Sequence, residues 1–490
     1  MKRITRRTVL SMAAATPLSC LLRSRAAAQG TSSFVRCDAR SANGKSMLKK
    51  YAAAVAMMKN RPASDPLSWT FQWYTHGVPN GKDAEIARIF PAPSPAKDLA
   101  GAAWETCQAH HPGDIEDFFL PWHRLYVSFF EKIIRTVLAD QTFTLPYWDY
   151  TAADPAAHGV LPVEFRSPGD AVFKSLYVQN RNPGVNAGKP IQGSGPEDPL
   201  NLDDLTASSY SGDFGFCNSL DMNLHGTVHV LVGTGTNMGS IPFAAGDPIF
   251  WLHHCNIDRL WASWNATGHS NPALAQLFAF ADGTGNRADA DVGSVLDLAM
   301  MDYKYDRLGN VPGAAPAEEA VAATAKIVAS NRKATEAVAE PIQLRGDPVK
   351  IKLNMLAPSE GQKPPAFLEH VKALKPEHKL TVLVKGLKAE AAPGVLYHVY
   401  LDLPDKPTPE QLKLHYLGTL NFFDAVGHGH HGDEGADAKR KPIPLRATKV
   451  AKALREKGLL SEKPTIVIIP QGKPAEEAKP SIAELQIVQH

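Results

Sequence analysis

The strongest chemical signal lies in four histidines, His225 and His229, four residues apart, and the adjacent His253 and His254. A four-residue spacing points two side chains the same way from successive turns of a helix. On a second helix His254 would share a face with Asp258, one turn on. Upstream stand His76, the neighbouring His110 and His111, and His123. Imidazole nitrogens suit copper, zinc, iron or nickel and not calcium or magnesium, which take oxygen ligands. Singly, each histidine has a plain reading. His76 could cap a helix, and His123, set in Phe-Phe-Leu-Pro-Trp, could be a core histidine with a satisfied ring.

Together they offer two sets of three: His76, one of His110 or His111, and His123; then His225, His229 and His254. Two such sets in one helical bundle describe a dinuclear site in which each ion keeps an open position. The sequence has no Glu-x-x-His pair, which counts against a di-iron bundle, and no His-Glu-x-x-His, which counts against a zinc protease.

The elements that must position these residues are legible around them. Residues 44–60 read as a helix ended by Pro62 to Pro66, and the aromatic run from Leu67 ends at His76-Gly77. Pro121 belongs in the first turn of a helix running to Leu138, with His123 near its start. Residues 151–215, rich in Gly, Pro, Ser, Asp and Asn, read as long loops that shape a site or wrap a core. An Ala/Glu/Lys-rich stretch then reads as a linker over 311–345. Beyond it the pattern changes to β-branched and alternating runs such as Leu380-Thr-Val-Leu-Val-Lys385 and Thr465-Ile-Val-Ile-Ile469, as in an all-β sandwich. Gly427-His-Gly-His-His-Gly432 reads as a polar loop or a weak metal site. The fold class is therefore multidomain: a mainly α-helical bundle over 29–310, the linker, and an all-β sandwich over 346–490.

The first 28 residues hold six basic residues and no acid, leaving 46 basic against 50 acidic residues, a net of −4, in the remainder. That balance offers no footprint for nucleic acid. Thr5-Arg6-Arg7-Thr8 followed by a small and apolar run and Ala26-Ala27-Ala28 reads as a twin-arginine signal over 1–28, and predicts a periplasmic or secreted protein. The apolar run is too short for a stable membrane span. Four cysteines (Cys37, Cys107, Cys217, Cys255) follow it, too few for a disulfide scaffold. Cys37 with Cys217 is a candidate bridge.

Phe119-Leu-Pro-Trp-His-Arg-Leu-Tyr126 and Asp247-Pro-Ile-Phe-Trp-Leu-His-His-Cys-Asn-Ile-Asp-Arg-Leu-Trp261 resemble the two copper-binding signatures of the tyrosinase family, which includes catechol oxidases and molluscan haemocyanins. Arg36 and Tyr303-Lys-Tyr305 resemble the clasp that closes that domain. Val399-Tyr-Leu-Asp-Leu-Pro404 and His415-Tyr-Leu-Gly-Thr-Leu-Asn-Phe-Phe423 resemble the C-terminal domain that covers the copper site in plant polyphenol oxidases. The resemblance implies two copper ions, held by His76, His110 (or His111) and His123, and by His225, His229 and His254. It further implies that His253 turns away from the metal, that Asp258 holds a ligand imidazole by its second nitrogen, and that Cys107 is a buried thiol or forms a thioether to His110. The implied reaction oxidises monophenols and o-diphenols to o-quinones with dioxygen as co-substrate. The alternatives are a catechol oxidase confined to o-diphenols or o-aminophenols, and an oxygen carrier. Members that hydroxylate monophenols often carry an acid that positions a water, and an Asn after the first ligand of the second copper. Here Asp221 is the nearby acid and Gly226 stands in the Asn position. Ile241 and Phe243 are candidates for shading the second copper. Expected partners are small phenols and a copper-delivery protein.

Overall fold

Two large hydrophobic cores divide the chain, one built mainly by helices before residue 306 and one mainly by strands after residue 325. The computed structural model describes residues 34–108, 117–313, 325–331, 340–357, 361–423, 425 and 441–490. Residues 1–28, read from the sequence as a signal, together with His110, His111 and Gly427–Gly432, lie outside the described residues.

In the first part, Ser41 and Ser68 cap the helices Ala42–Lys59 and Trp69–His76 by accepting from Gly44 N and Phe71 N. Helix Phe119–Leu138 lies against helix Ile249–Ala266, with the Phe130 ring 3.4 Å from Trp251 and nearly parallel to it. Tyr51 fixes the first helix to the start of the last by donating to Pro248 O at 2.8 Å. Residues Phe216–Val232 form one helical run interrupted over Asp221–His225 by a π turn. The loops of 151–215 carry only short 3-10 turns, and buried Arg181 ties them to Asp247 at the head of the last helix.

Strand Phe34–Arg36 pairs in parallel with Tyr303–Tyr305 and brings the two ends of this part together. Arg36 donates to Glu131 at 2.9 Å and to Asp258 at 3.3 Å, with its guanidinium 3.5 Å from the Tyr303 ring centre. Asp258 also accepts from Arg124, Tyr303 and Tyr305 at 2.5–2.6 Å. These two cations hold its carboxyl below the usual carboxylate range against the opposing effect of burial. Asp258 is thus the anion of a structural network and makes no imidazole contact among the described hydrogen bonds, contrary to the expectation from its position. Two arginines, one of them 222 residues away in sequence, outcompete a neutral ring for it.

The second part holds an antiparallel sheet in the order Tyr416–Leu420, Tyr397–Leu401, Thr465–Pro470, Val349–Lys352. The other sheet runs Ile443–Arg446, Leu380–Lys385, Glu484–Gln489, Lys326–Ser330, Asn354–Met355. Two features differ from the sequence reading. Lys326–Ser330, assigned to the linker, is a sheet strand, because Ile327-Val328-Ala329 can pair with Ile487 and Val488 despite helix-forming neighbours. The part is also not all-β: Phe367–Lys372, Pro409–His415 and Thr448–Glu456 are helices, the second begun by a Thr408–Gln411 capping box and the third burying Ala451 and Leu454. The four described cysteines are buried thiols, so Cys37 and Cys217 do not bridge. Each sits near a backbone carbonyl instead, Val35 O and Asp117 O.

Candidate metal centre

Helix geometry brings five of the expected ligands into one buried cluster. His76 ends helix Trp69–His76 and His123 stands one turn into helix Phe119–Leu138. His225 and His229 lie across the π turn, and His254 is in the second turn of the last helix. His123 and His254 stack at 4.1 Å between ring centres, His225 and His229 lie 4.6 Å apart, and His225 and His254 5.1 Å. Candidate ligand atoms of His225, His229, His253 and His254 fall within 4.8 Å of one another, as do those of His76, Cys107 and His123.

Backbone carbonyls set three of the rings. Nδ1 of His76, His123 and His229 lies 3.1, 2.8 and 2.7 Å from the carbonyls of Ile241, Phe119 and Met238. A carbonyl only accepts, so each Nδ1 carries the proton and each Nε2 presents a lone pair. Burial holds His123, His229, His253 and His254 well below the ordinary histidine range, with neighbouring imidazoles adding to the effect, and burial lowers His225 to about 3. All are therefore neutral near pH 7, the form a metal binds.

Nε2 of His225 and His229 and both nitrogens of His253 and His254 are buried without a hydrogen-bond partner. Orphaned buried nitrogens are costly. Imidazole nitrogens of four histidines converging without a carboxylate ligand or a second thiol make a donor set that suits a borderline or soft ion such as copper, and a bound ion would satisfy them. Phe119, Phe250 and Trp122 wall the cluster, with Phe250 4.3 Å from His254 and 4.8 Å from His76.

Four expectations meet particular outcomes. His253 does not turn away: it stacks on His225 at 5.3 Å and belongs to the same group of four. Cys107 Sγ lies 3.6 Å from His123 Nε2, placing the thiol at the cluster. Asp221 Oδ1 is 2.9 Å from His225 Nδ1, and burial raises the acid and lowers the histidine, which favours the neutral form of each. Ile241 serves the site through its carbonyl, and Phe243 packs on Trp73.

The ring that does lie over His229 comes from the β-rich part. Phe423 stacks on it at 4.0 Å and stands edge-on to His225 at 5.8 Å. Sequence reasoning assigned Phe423 no role. A signal existed, since neighbouring residues of an extended chain face opposite sides, so Phe422 and Phe423 needed two cores. Phe422 is buried in the strand core and Phe423 in the helical one.

A family model described as the common central domain of tyrosinase matches residues 66–196 and 201–267. A tyrosinase of Hahella sp. (strain CCB-MM4) is 34% identical over 309 residues, covering 56% of this chain and 64% of that protein. A chloroplastic polyphenol oxidase of Malus domestica is 25% identical over 429 residues, covering 78% and 66%. The matches thus span just under two thirds of the length of these curated relatives. A latent aurone synthase, a polyphenol oxidase, shares the fold with a TM-score of 0.61 at 19% identity, over 93% of this chain and 89% of that one.

Proposed function

This chain belongs to the tyrosinase and polyphenol oxidase family, and on that premise we propose that it oxidises monophenols such as tyrosine, and o-diphenols, to o-quinones, with two copper ions as cofactor and dioxygen as co-substrate. The observation that carries this reading is the buried cluster of imidazoles with orphaned nitrogens. His76, His123 and His110 would hold one ion, with His111 the alternative to His110. His225, His229 and His254 would hold the other, with His253 stacked behind His225. When bound, the copper pair supplies the two-electron chemistry with dioxygen.

The chain's own residues do the rest. Carbonyl-held Nδ1 protons orient the rings, which reduces the rearrangement needed on loading. The Phe119, Phe250 and Trp122 wall keeps water from the reacting face. A phenol stacked on His229 would occupy the space that Phe423 fills, so the β-rich part covers the site and must withdraw before a ring can enter. Asn218 donates to Pro442 O and Asn223 to Pro444 O along this seam, and Lys441 pairs with buried Asp117. Cys107 joined to His110 by a thioether belongs to the same proposal, and two peptides that stay joined after reduction would mark it. So do export by the twin-arginine route, which an Arg6→Lys, Arg7→Lys double variant should block, and a copper-delivery partner.

A second reading, oxidation of o-diphenols only, draws support from Gly226, which offers no side chain to a monophenol, and from Asp221, whose carboxyl sits against His225. Copper content and oxygen uptake decide between them. Two coppers per chain with uptake on tyrosine alone supports the first reading. Uptake with an o-diphenol and none with tyrosine supports the second. No bound copper contradicts both.

A further inference from the structure

Gly226 has ordinary helical dihedrals, φ −61° and ψ −33°, which any L residue adopts. Its backbone does not call for glycine, and glycine inside a helix is costly relative to alanine. What the absent side chain provides is room. A Cβ at 226 would lie 2.4 Å from Asn421 Oδ1, 2.9 Å from its Cγ and 3.0 Å from its Nδ2. The first two are closer than packed atoms approach, and the third is at the tight limit.

The carboxamide cannot simply swing aside. Asn421 Nδ2 donates to Met222 O at 2.7 Å, with Asn223 O at 3.4 Å and Thr227 Oγ1 at 3.5 Å, while Oδ1 accepts from Phe423 N at 3.3 Å. The π turn prepares this contact. Gly226 N–H is directed to Asp221 O, five residues back, and to Asn223 O, leaving Met222 O to accept from Asn421. Two residues beyond Asn421 comes the ring that lies on His229.

We propose that Gly226 is the docking notch of the β-rich part: by admitting Asn421 it sets Phe423 over His229. The inference rests on the reading that this part covers the site, and it gives residue 226 a task in docking that is separate from any contact with a phenol. A side chain at 226 must displace a pinned carboxamide and lift the 421–423 segment, although alanine there favours the helix itself.

The test uses the full-length chain with Gly226→Ala, Asn421→Gly and the double substitution. Amide hydrogen exchange over 416–423 reads docking, and oxygen uptake with an o-diphenol reads covering. Gly226→Ala is expected to speed exchange over 416–423 at least tenfold and to raise uptake by the uncleaved chain. On the Asn421→Gly background, where no carboxamide is left to collide with, Gly226→Ala should add nothing, the non-additivity of groups in contact. Unchanged exchange in Gly226→Ala would overturn the notch, as would an equal acceleration in both backgrounds, which would show that residue 226 does not act through Asn421. Faster exchange without a rise in uptake would uphold the notch and contradict the covering reading.

Discussion

Charge is buried in two different ways on the two sides of His229. In the helical part, Arg36, Glu131, Asp258 and Arg124 form a closed, almost fully buried set in which each ion has partners on other helices or strands. Along the seam with the β-rich part, the contacts include amide groups on carbonyls, the Phe423 ring on His229, the Phe214 ring stacked on His490, Tyr400 O–H donating to Glu197, and Lys441, whose side chain stays 28% exposed against Asp117 at 3%. A buried network that loses a member leaves an uncompensated charge, so the helical part is built to stay shut. A seam of dispersed hydrogen bonds, ring contacts and an ion pair with one partly exposed member can part, because water reaches each polar group as it opens. The histidine cluster belongs to the first side and Phe423, the proposed cover, to the second.

The contrast breaks first at Asp258. Asp258→Asn should destabilise the helical part by about 3–5 kcal/mol, the cost of stranding a buried charge, seen as a large fall in the thermal midpoint or loss of folded protein. His254→Ala is expected to leave the fold intact but to lower copper from two per chain to about one and abolish oxygen uptake, read by metal analysis beside the assay.

On the separable side, Phe423→Ala removes a buried ring, worth about 3–5 kcal/mol in cores and less here because the helical part persists. Uptake by the uncleaved chain should rise by about one to two orders of magnitude, each tenfold step being about 1.4 kcal/mol of docking energy, with little change in the unfolding of the helical part. An equal loss of stability and activity would erase the distinction between the two sides.

The pairing of sequence with site has the same two-sided character. The clustering of His76, His123, His225, His229 and His254 was legible because they sit on helices where a local spacing fixes direction. Asp258 was misread because its partners, Arg36 and Tyr303, come from strands at opposite ends of the helical part, and no local pattern reports them. The strand Lys326–Ser330 was hidden inside a stretch of helix-forming residues. Phe423 was hidden because a phenylalanine following a strand looks like core packing for that strand. What sequence could not supply was pairing across the seam.

Acid should sharpen the comparison further. His398, close to Glu197 of the helical part at 3.9 Å and to Tyr400 at 3.4 Å, is lowered by burial to about 4. Released to solvent it would take a proton near 6.5. The contribution of neutral His398 to docking is therefore present above about pH 6.5 and is lost as pH falls toward 4, by at most about 1.4 kcal/mol per pH unit. Uptake by the uncleaved chain at pH 5.5, relative to that of the cleaved chain, should exceed the same ratio at pH 7.5, and His398→Phe should flatten the difference. The smallest effect expected is that of Lys441→Met, a few-fold rise in uptake by the uncleaved chain, because Lys441 is itself partly exposed and Asp117 regains water as the seam opens.

The central claim is that a dicopper phenol oxidase lies under a cover made by its own chain. Oxygen uptake with an o-diphenol, followed on the copper-loaded full chain before and after cleavage between the two parts within about residues 310–345, tests it most directly. The account predicts slow uptake before cleavage and a marked rise after it, at unchanged copper content. Uptake that is equally fast before and after would contradict the cover, and absence of uptake in both states with two coppers bound would contradict the oxidase.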